Sequence, residues 1–307
     1  MTAALDERVR ERIVAQAIGY STGSFASPSP IAGVKILHTE KDHPRTPVLY
    51  DPTIVIVFQG AKIGFLGDKT FRYDAENYLL LTVPLPFECQ TIASRQEPFV
   101  GISIPVDVPL LQSVLIDLGE EHVDELVATD SSGVNGARFT NELLCAIERL
   151  FDAMKNPRDA QFLGKLIVKE IIYHVLCGDS GAALHALVNR HTHFGQISKV
   201  IQHIESNYSD SFSVEQLARM VNMSVSAFHH NFKSVTNTSP LQYVKSYKLH
   251  RARLIMLNEG VKAGVAATRV GYESASQFSR EFKRYFGATP VDEVTRLKPM
   301  AAAVAAS

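Results

Sequence analysis

The spacing of apolar residues changes twice along the chain. Residues 5–18 carry them at helical intervals, and 21–33, rich in Ser, Pro and Gly, read as loop. From 33 to 104 the apolar residues fall in short strand-like runs: 33–38, 48–58, 62–66, 70–73, 78–83, 88–93 and 99–104. Pro44 and Pro47, Gln59-Gly60, Gly67-Asp68, 74–77, 84–86 and Pro98 separate them. Many short strands at regular spacing predict a sandwich or closed barrel. From Val108 the period becomes helical and predicts helices over 108–118, 139–154, 161–177 and 184–191, with a Ser/Gly/Asn loop over 129–136. The helix at 139–154 sets Phe139, Leu143, Ile147, Leu150, Phe151 and Met154 on one face. That face reads equally as a cap on the barrel or as a contact with a second chain. Cys145 falls on its polar side.

The last third, 198–299, repeats itself at an offset of fifty residues. Ser224, Ser226, Phe228, Phe232, Lys233 and Pro240 fall on Ser274, Ser276, Phe278, Phe282, Lys283 and Pro290. Asn237 falls on Gly287, Arg219 on Arg269 and Val221 on Gly271. One supersecondary unit is built twice. Each copy reads as a short helix, a turn and a longer helix. In the first, Ser213 caps a helix carrying Val214, Leu217, Ala218 and Val221, and Ser224 caps the next, which buries Phe228, Phe232 and Val235. In the second, Gly271-Tyr272-Glu273 is the turn, Ser274 the cap, and Phe278, Phe282, Tyr285 and Phe286 the buried face.

The opposite faces of the two longer helices carry Ser226, His230 and Lys233, then Ser276, Arg280 and Lys283, with His229 and Gln277 beside them. Short polar and cationic donors are what a helix needs to reach base edges and phosphates in a major groove. Ser226, His229, His230, Ser276, Gln277 and Arg280 are the expected base contacts; Lys233 and Lys283 are expected to reach phosphate. The amphipathic run 241–259 separates the copies. A helix of about twenty residues spans roughly 30 Å, close to the ~34 Å between successive major grooves on one face of DNA. A helical-repeat module with no nucleic acid leaves the matched outward rows unexplained.

These residues also carry a resemblance. Leu217-Ala218-Arg219, 223–228, Phe232-Lys233 and 239–243, then 270–274, 277–287 and Pro290, resemble the AraC/XylS family of bacterial transcription regulators. Asn237 stands where that family usually has Gly, and Asn also tolerates positive φ. Lys248 replaces a frequent Arg. Leu49-Tyr50-Asp51-Pro52, 58–62, 66–68, Tyr73, 78–80 and Leu85-Pro86 look like an N-terminal domain found in one subgroup of AraC-type regulators. The resemblance implies that this domain is cupin-like.

Charge supports the division. Of 31 Lys and Arg and 32 Asp and Glu, residues 196–299 hold 14 and 8, a net of +6, leaving −7 elsewhere. A basic module joined to an acidic one suits nucleic-acid binding by the former. His38 and His43 form no closely spaced ligand pair with an acidic partner, so no metal site and no cofactor are expected. Cys89, Cys145 and Cys177 are odd in number and outside any CxxC spacing, which reads as free thiols in a reducing compartment. Cys89 is either a small core residue or a thiol that senses an electrophile or oxidant from a barrel cavity. The N-terminal stretch lacks the apolar core of a signal peptide, and no run reaches the ~20 apolar residues of a membrane span.

The expected fold class is α+β: a cupin-like effector-binding β-barrel with an N-terminal helix (1–106), a helical connector (107–195), an all-α tandem helix-turn-helix domain (196–299) and a disordered Ala-rich tail (300–307). The expected protein is a cytoplasmic, homodimeric, sequence-specific regulator, an activator, that binds double-stranded DNA, an unknown small effector and RNA polymerase. Two other readings stay open: an effector-independent regulator whose barrel serves assembly, and an enzyme targeted to DNA.

Overall fold

The structure is a computed structural model. It describes residues 6–119, 132–189 and 192–305, with side chains described as far as residue 297. Part of the expected 129–136 loop and the end of the expected 184–191 helix lie outside the described residues.

Ten strands form one antiparallel sheet among the described residues: β1 (Ala26–Pro28), β2 (Lys35–Thr39), β3 (His43–Tyr50), β4 (Thr53–Gln59), β5 (Ala61–Leu66), β6 (Lys69–Asp74), β7 (Asn77–Leu81), β8 (Leu85–Ile92), β9 (Phe99–Pro105) and β10 (Val134–Arg138). Their order is β1-β2-β9-β4-β7-β6-β5-β8-β3, with β10 added on β7. The sheet curls into a half-barrel. Its edge strands approach at the open side, where Phe25, just before β1, sets its ring edge-on to His43 of β3 at 5.5 Å. The apolar run 48–58 is cut in two at Asp51-Pro52, because proline cannot donate to a ladder. Neither β1 nor β10 was legible. β10 lies in the Ser/Gly/Asn segment read as loop, and it pairs Val134 with Leu81 and Gly136 with Leu79. Pairing with a distant strand, not local propensity, makes it a strand.

Both faces of the sheet are covered, which is why β4 is buried along most of its length. Ile54, Ile56 and Phe58 point into one core; Val55 and Val57 point into another. The first core is closed by α1 (Glu7–Gly19), α2 (Val108–Leu118), α3 (Asn141–Met154), α4 (Pro157–Leu176) and α5 (Gly181–Val188). Phe139, Leu143, Ile147, Leu150, Phe151 and Met154 are all buried in it. The apolar face of α3 is therefore a cap on the sheet and not a surface for a second chain. The exposed apolar side chains of this region include Ile116, 79% exposed on α2, and a group on α4 in which Phe162 is 73% exposed and Leu166 55%.

The second core joins the other face of the sheet to the first helix-turn-helix unit. That half contains α6 (His193–Ser206), α7 (Val214–Met220), α8 (Val225–Thr236) and α9 (Pro240–Glu259). Val55, Val57, Leu79 and Leu85 share this core with Phe228, Phe232, Val235 and Tyr243. Burying each such side chain contributes about 1.5–3 kcal/mol, so the sheet and the first unit are one cooperative body. Polar contacts fix the docking. Tyr243 donates its hydroxyl to the Pro84 carbonyl at 2.8 Å, Gly133 N–H donates to the Val235 carbonyl at 2.9 Å, and the Asn237 amide donates to the Leu66 carbonyl. The second unit, α10 (Ala263–Arg269) and α11 (Ala275–Phe286), has its own core around Phe278, Phe282 and Phe286. The closing helix α12 (Pro290–Ala305) takes in Ala301, Ala302, Ala303 and Ala305 of the segment 300–307 expected as a disordered tail, of which 306–307 lie outside the described residues; alanine is the strongest helix former.

Candidate nucleic-acid interface and barrel cavity

The repeat is realised as two helix-turn-helix units. In the first, Ser213 and Gln216 form a reciprocal capping box at α7, and Ser224 accepts from Ala227 N–H at 3.2 Å to cap α8. In the second, Ser274 accepts from Gln277 N–H at 3.2 Å to cap α11. The longer helices keep the offset of fifty, from Ser224 to Ser274 and from Asn237 to Gly287, and both of the latter have positive φ. The shorter helices keep forty-nine instead. Leu217, Ala218 and Val221 match Ala266, Ala267 and Val270 in burial, and the left-handed turn residues are Asn222 and Gly271. The sequence overlay of Val221 on Gly271 is thus one residue out before the turn, and the second turn is one residue longer. Gly271 is required: a Cβ there would lie 1.9 Å from the Ser209 carbonyl oxygen.

Ser226, His229, His230 and Lys233 are all exposed along α8, and Ser276, Gln277, Arg280 and Lys283 along α11. The buried faces of the same helices anchor them through Phe228 and Phe232, and through Phe278 and Phe282, each fully buried. Exposed Arg284 lies on the outward side of α11 as well; the sequence reading, built on matched rows, passed over it because Ser234 stands at its repeat position. Between the units, α9 is a continuous helix of 20 residues. Lys248 of α9 donates to the Asp210 carbonyl at 2.9 Å, and burial lowers its pKa.

A cavity of about 480 Å³ opens where the half-barrel meets the helix-turn-helix half. Phe25, His43, Tyr50, Lys62 and Cys89 line it from the sheet; Arg253, Leu257 and Glu293 line it from α9 and α12. Lys62 is only 3% exposed, yet no ion pair joins it to a carboxylate among the described residues. Its ammonium donates to the Tyr50 hydroxyl at 2.6 Å and lies 4.7 Å from the Phe25 ring centre and 5.8 Å from that of Phe99. Burial disfavours this ammonium, but Tyr50 and Cys89 beside it raise its pKa overall. Burial, and then the Lys62 charge, lower that of His43. Lys62 was missed by the sequence reading. The signal was its place in the alternation Lys62, Gly64, Leu66, which turns a lysine inward.

Cys89 is buried, with its sulfur 3.1 Å from the Tyr73 hydroxyl; Cys145 and Cys177 are exposed. Glu88 points the other way, into an ion pair with Arg45. His38 bonds Ser21 at 3.0 Å and His43 bonds Thr39 at 3.1 Å. Opposite the sheet, Arg253 bridges the halves. It donates to the Pro47 carbonyl at 3.2 Å and pairs with Glu293 at 3.1 Å, and Glu293 also holds Arg296 at 2.7 Å.

The family model for the AraC-type transcriptional regulator N-terminus matches residues 30–183, and one for a helix-turn-helix domain matches 217–294. The RCS-specific HTH-type transcriptional activator RclR of Escherichia coli strain K12 is 32% identical over 106 residues, 34% of this chain and 37% of its own. The chain spans about a third of the length of the curated relatives it matches. Two solved structures of ToxT are similar in fold over most of this chain. ToxT of Vibrio cholerae bound to an unsaturated fatty acid is 13% identical, with a TM-score of 0.60 over 85% of this chain and 94% of ToxT. ToxT bound to (E)-4-(8-methylnaphthalen-1-yl)but-3-enoic acid is 12% identical, with a TM-score of 0.60 over 86% of this chain and 98% of that one. This likeness is one of fold.

Proposed function

This chain belongs to the family of AraC-type transcriptional regulators, and on that basis we propose that it binds operator DNA under the control of a small organic acid held by Lys62. Ser226, His229, His230, Ser276, Gln277 and Arg280 are the base contacts in this reading, with Lys233 and Lys283 on phosphate. It acts as a regulator in the cytoplasm, as an activator in contact with RNA polymerase, and not as an enzyme. No single helix among the described residues is long and apolar enough to cross a membrane.

One observation carries the effector: a lysine ammonium, buried on aromatic walls, with no carboxylate paired to it among the described residues. Burial penalises this cation and Tyr50 and Cys89 offset the penalty, but neither carries a counter-charge as a neutral group, and an anionic guest would supply one. The structural neighbours bind two carboxylic acids, which agrees with an acid in this cavity. Because α9 and α12 line it too, a guest would touch both halves and bias how the second unit sits. The test is thermal melting of the full chain against carboxylic acids and their neutral amides. The acids should raise the midpoint by mass action, the amides should not, and Lys62→Met should abolish the shift. Stabilisation that survives Lys62→Met would sink the assignment, and no stabilisation by any acid favours a barrel that serves assembly alone.

Cys89 borders the same space, and the thiol-sensor role is a second reading that it supports. Cys89→Ala should then keep DNA binding and lose the transcriptional response to electrophiles; a wild-type response leaves only the core role. We place the homodimer contact on the exposed face of α4. Pairing two copies antiparallel sets Phe162 against Leu166 of the other copy.

A further inference from the structure

Gln277 and Glu281 form a pair on α11 that has no counterpart on α8. Gln277 is exposed in the first turn of the helix, where recognition helices meet base edges. Its amide nitrogen donates to Glu281 Oε1 at 3.3 Å. Glu281 is itself held from two other elements. Lys245 of α9 pairs with it at 2.7 Å, and the Tyr272 hydroxyl in the turn donates to it at 2.8 Å. Burial pushes this carboxyl up, but hydrogen bonds from Lys245, Tyr272 and Gln277 outweigh that and hold it below the usual range. It is therefore a carboxylate, with acceptors only.

An acceptor-only neighbour decides which way an amide faces. The NH₂ group must point to Glu281, since the reversed amide would set its oxygen against a carboxylate oxygen. One amide hydrogen is spent on Glu281. The other hydrogen and the carbonyl oxygen remain side by side, facing out. That is a donor next to an acceptor, and it matches adenine, which offers N7 as acceptor and N6–H as donor in the major groove. Guanine offers two acceptors, O6 and N7, and would face the amide oxygen with a lone pair. We propose that Gln277 reads an adenine in the half-site bound by the second unit, and that Glu281 is the positioning residue that fixes the sense of its amide. This rests on α11 being a recognition helix. The matching positions on α8 are Ala227 and Asn231, and the Asn231 amide is turned inward to the Met223 sulfur at 3.6 Å. The requirement for adenine is accordingly confined to the half-site that each chain's second unit contacts.

The experiment is selection from a random duplex pool by the full chain, followed by titration on the selected site and on the same site with guanine for adenine. The wild type should prefer the adenine duplex by about ten-fold or more, the low end of what a bidentate pair supplies. Gln277→Ala should lose preference at that one position and keep the others. Glu281→Gln should still bind the selected site but narrow the adenine-to-guanine ratio several-fold, because a neutral amide accepts either orientation of Gln277. Undiminished discrimination in Glu281→Gln overturns the positioning role. Unchanged base preferences in Gln277→Ala overturn the reader. A wild type that retains no sequence at all overturns the DNA-binding reading beneath both.

Discussion

Two side chains at equal positions in the repeat differ in what they offer DNA. Arg280 on α11 and His230 on α8 are both exposed. Arginine carries a permanent charge and a planar fork of donors that matches guanine O6 and N7; a neutral imidazole offers one donor and one acceptor. The second unit should supply the stricter readout. Arg280→Ala should cost about 1–3 kcal/mol on the specific site and relax one base position, whereas Lys283→Ala should weaken specific and random duplexes alike and flatten the salt slope by about one. Titration of both variants on the two duplexes at two salt concentrations decides it. Equal weakening of both duplexes by Arg280→Ala would make it a phosphate contact.

Elements show why an apolar stripe does not by itself announce its partner. The stripe of α3 and the exposed residues of α4 look alike in sequence, yet Ile147 is fully buried under the sheet while Phe162 stands in solvent. A helix between two modules has more than one surface to offer, and only packing against the curled sheet selects among them. Ile147→Asp should therefore unfold the chain, since it buries an unpaired charge, instead of yielding a folded monomer. Phe162→Glu should keep the fold, lower the melting temperature only by the lost association, and dissociate the dimer in sedimentation. A dimer that survives Phe162→Glu removes α4 as the contact.

At the scale of the molecule, the two halves meet through a shared core, with two carboxylates at the join. Glu205 of α6 is half-buried beside the Tyr247 hydroxyl at 3.4 Å; burial, and then the charge of Asp51 from the half-barrel, push its carboxyl up to about 7. Its value unfolded is the ordinary one, 4.5. Between those values the folded chain binds more protons, so this group makes stability fall as pH rises from 4.5 to about 7 and leaves it lower above. Glu205→Gln keeps a side chain that accepts from Tyr247 and removes the charge. It should raise the thermal midpoint at pH 8 and leave it nearly unchanged at about pH 4, below the unfolded value. An equal change at both pH values would mean that folding does not raise the Glu205 carboxyl.

The local pattern determined much. Capping serines, paired phenylalanines and the fifty-residue offset located both recognition helices, because caps and i, i+4 stripes are short-range consequences of helix geometry. The same pattern placed most strands of the half-barrel and the exposed polar rows of α8 and α11. It missed β10, whose Val134–Arg138 becomes a strand only when β7 is beside it. It also missed the burial of Lys62, whose inward turn is visible in alternation but whose surroundings depend on what the far strands and α9 bring to the cavity. The docking of α8 and α9 on the sheet and the Asp51–Glu205 pair were likewise decided by tertiary structure alone. Each joins residues far apart in the chain, and which apolar faces meet is set by the shapes available in the folded molecule, not by the spacing within any one segment.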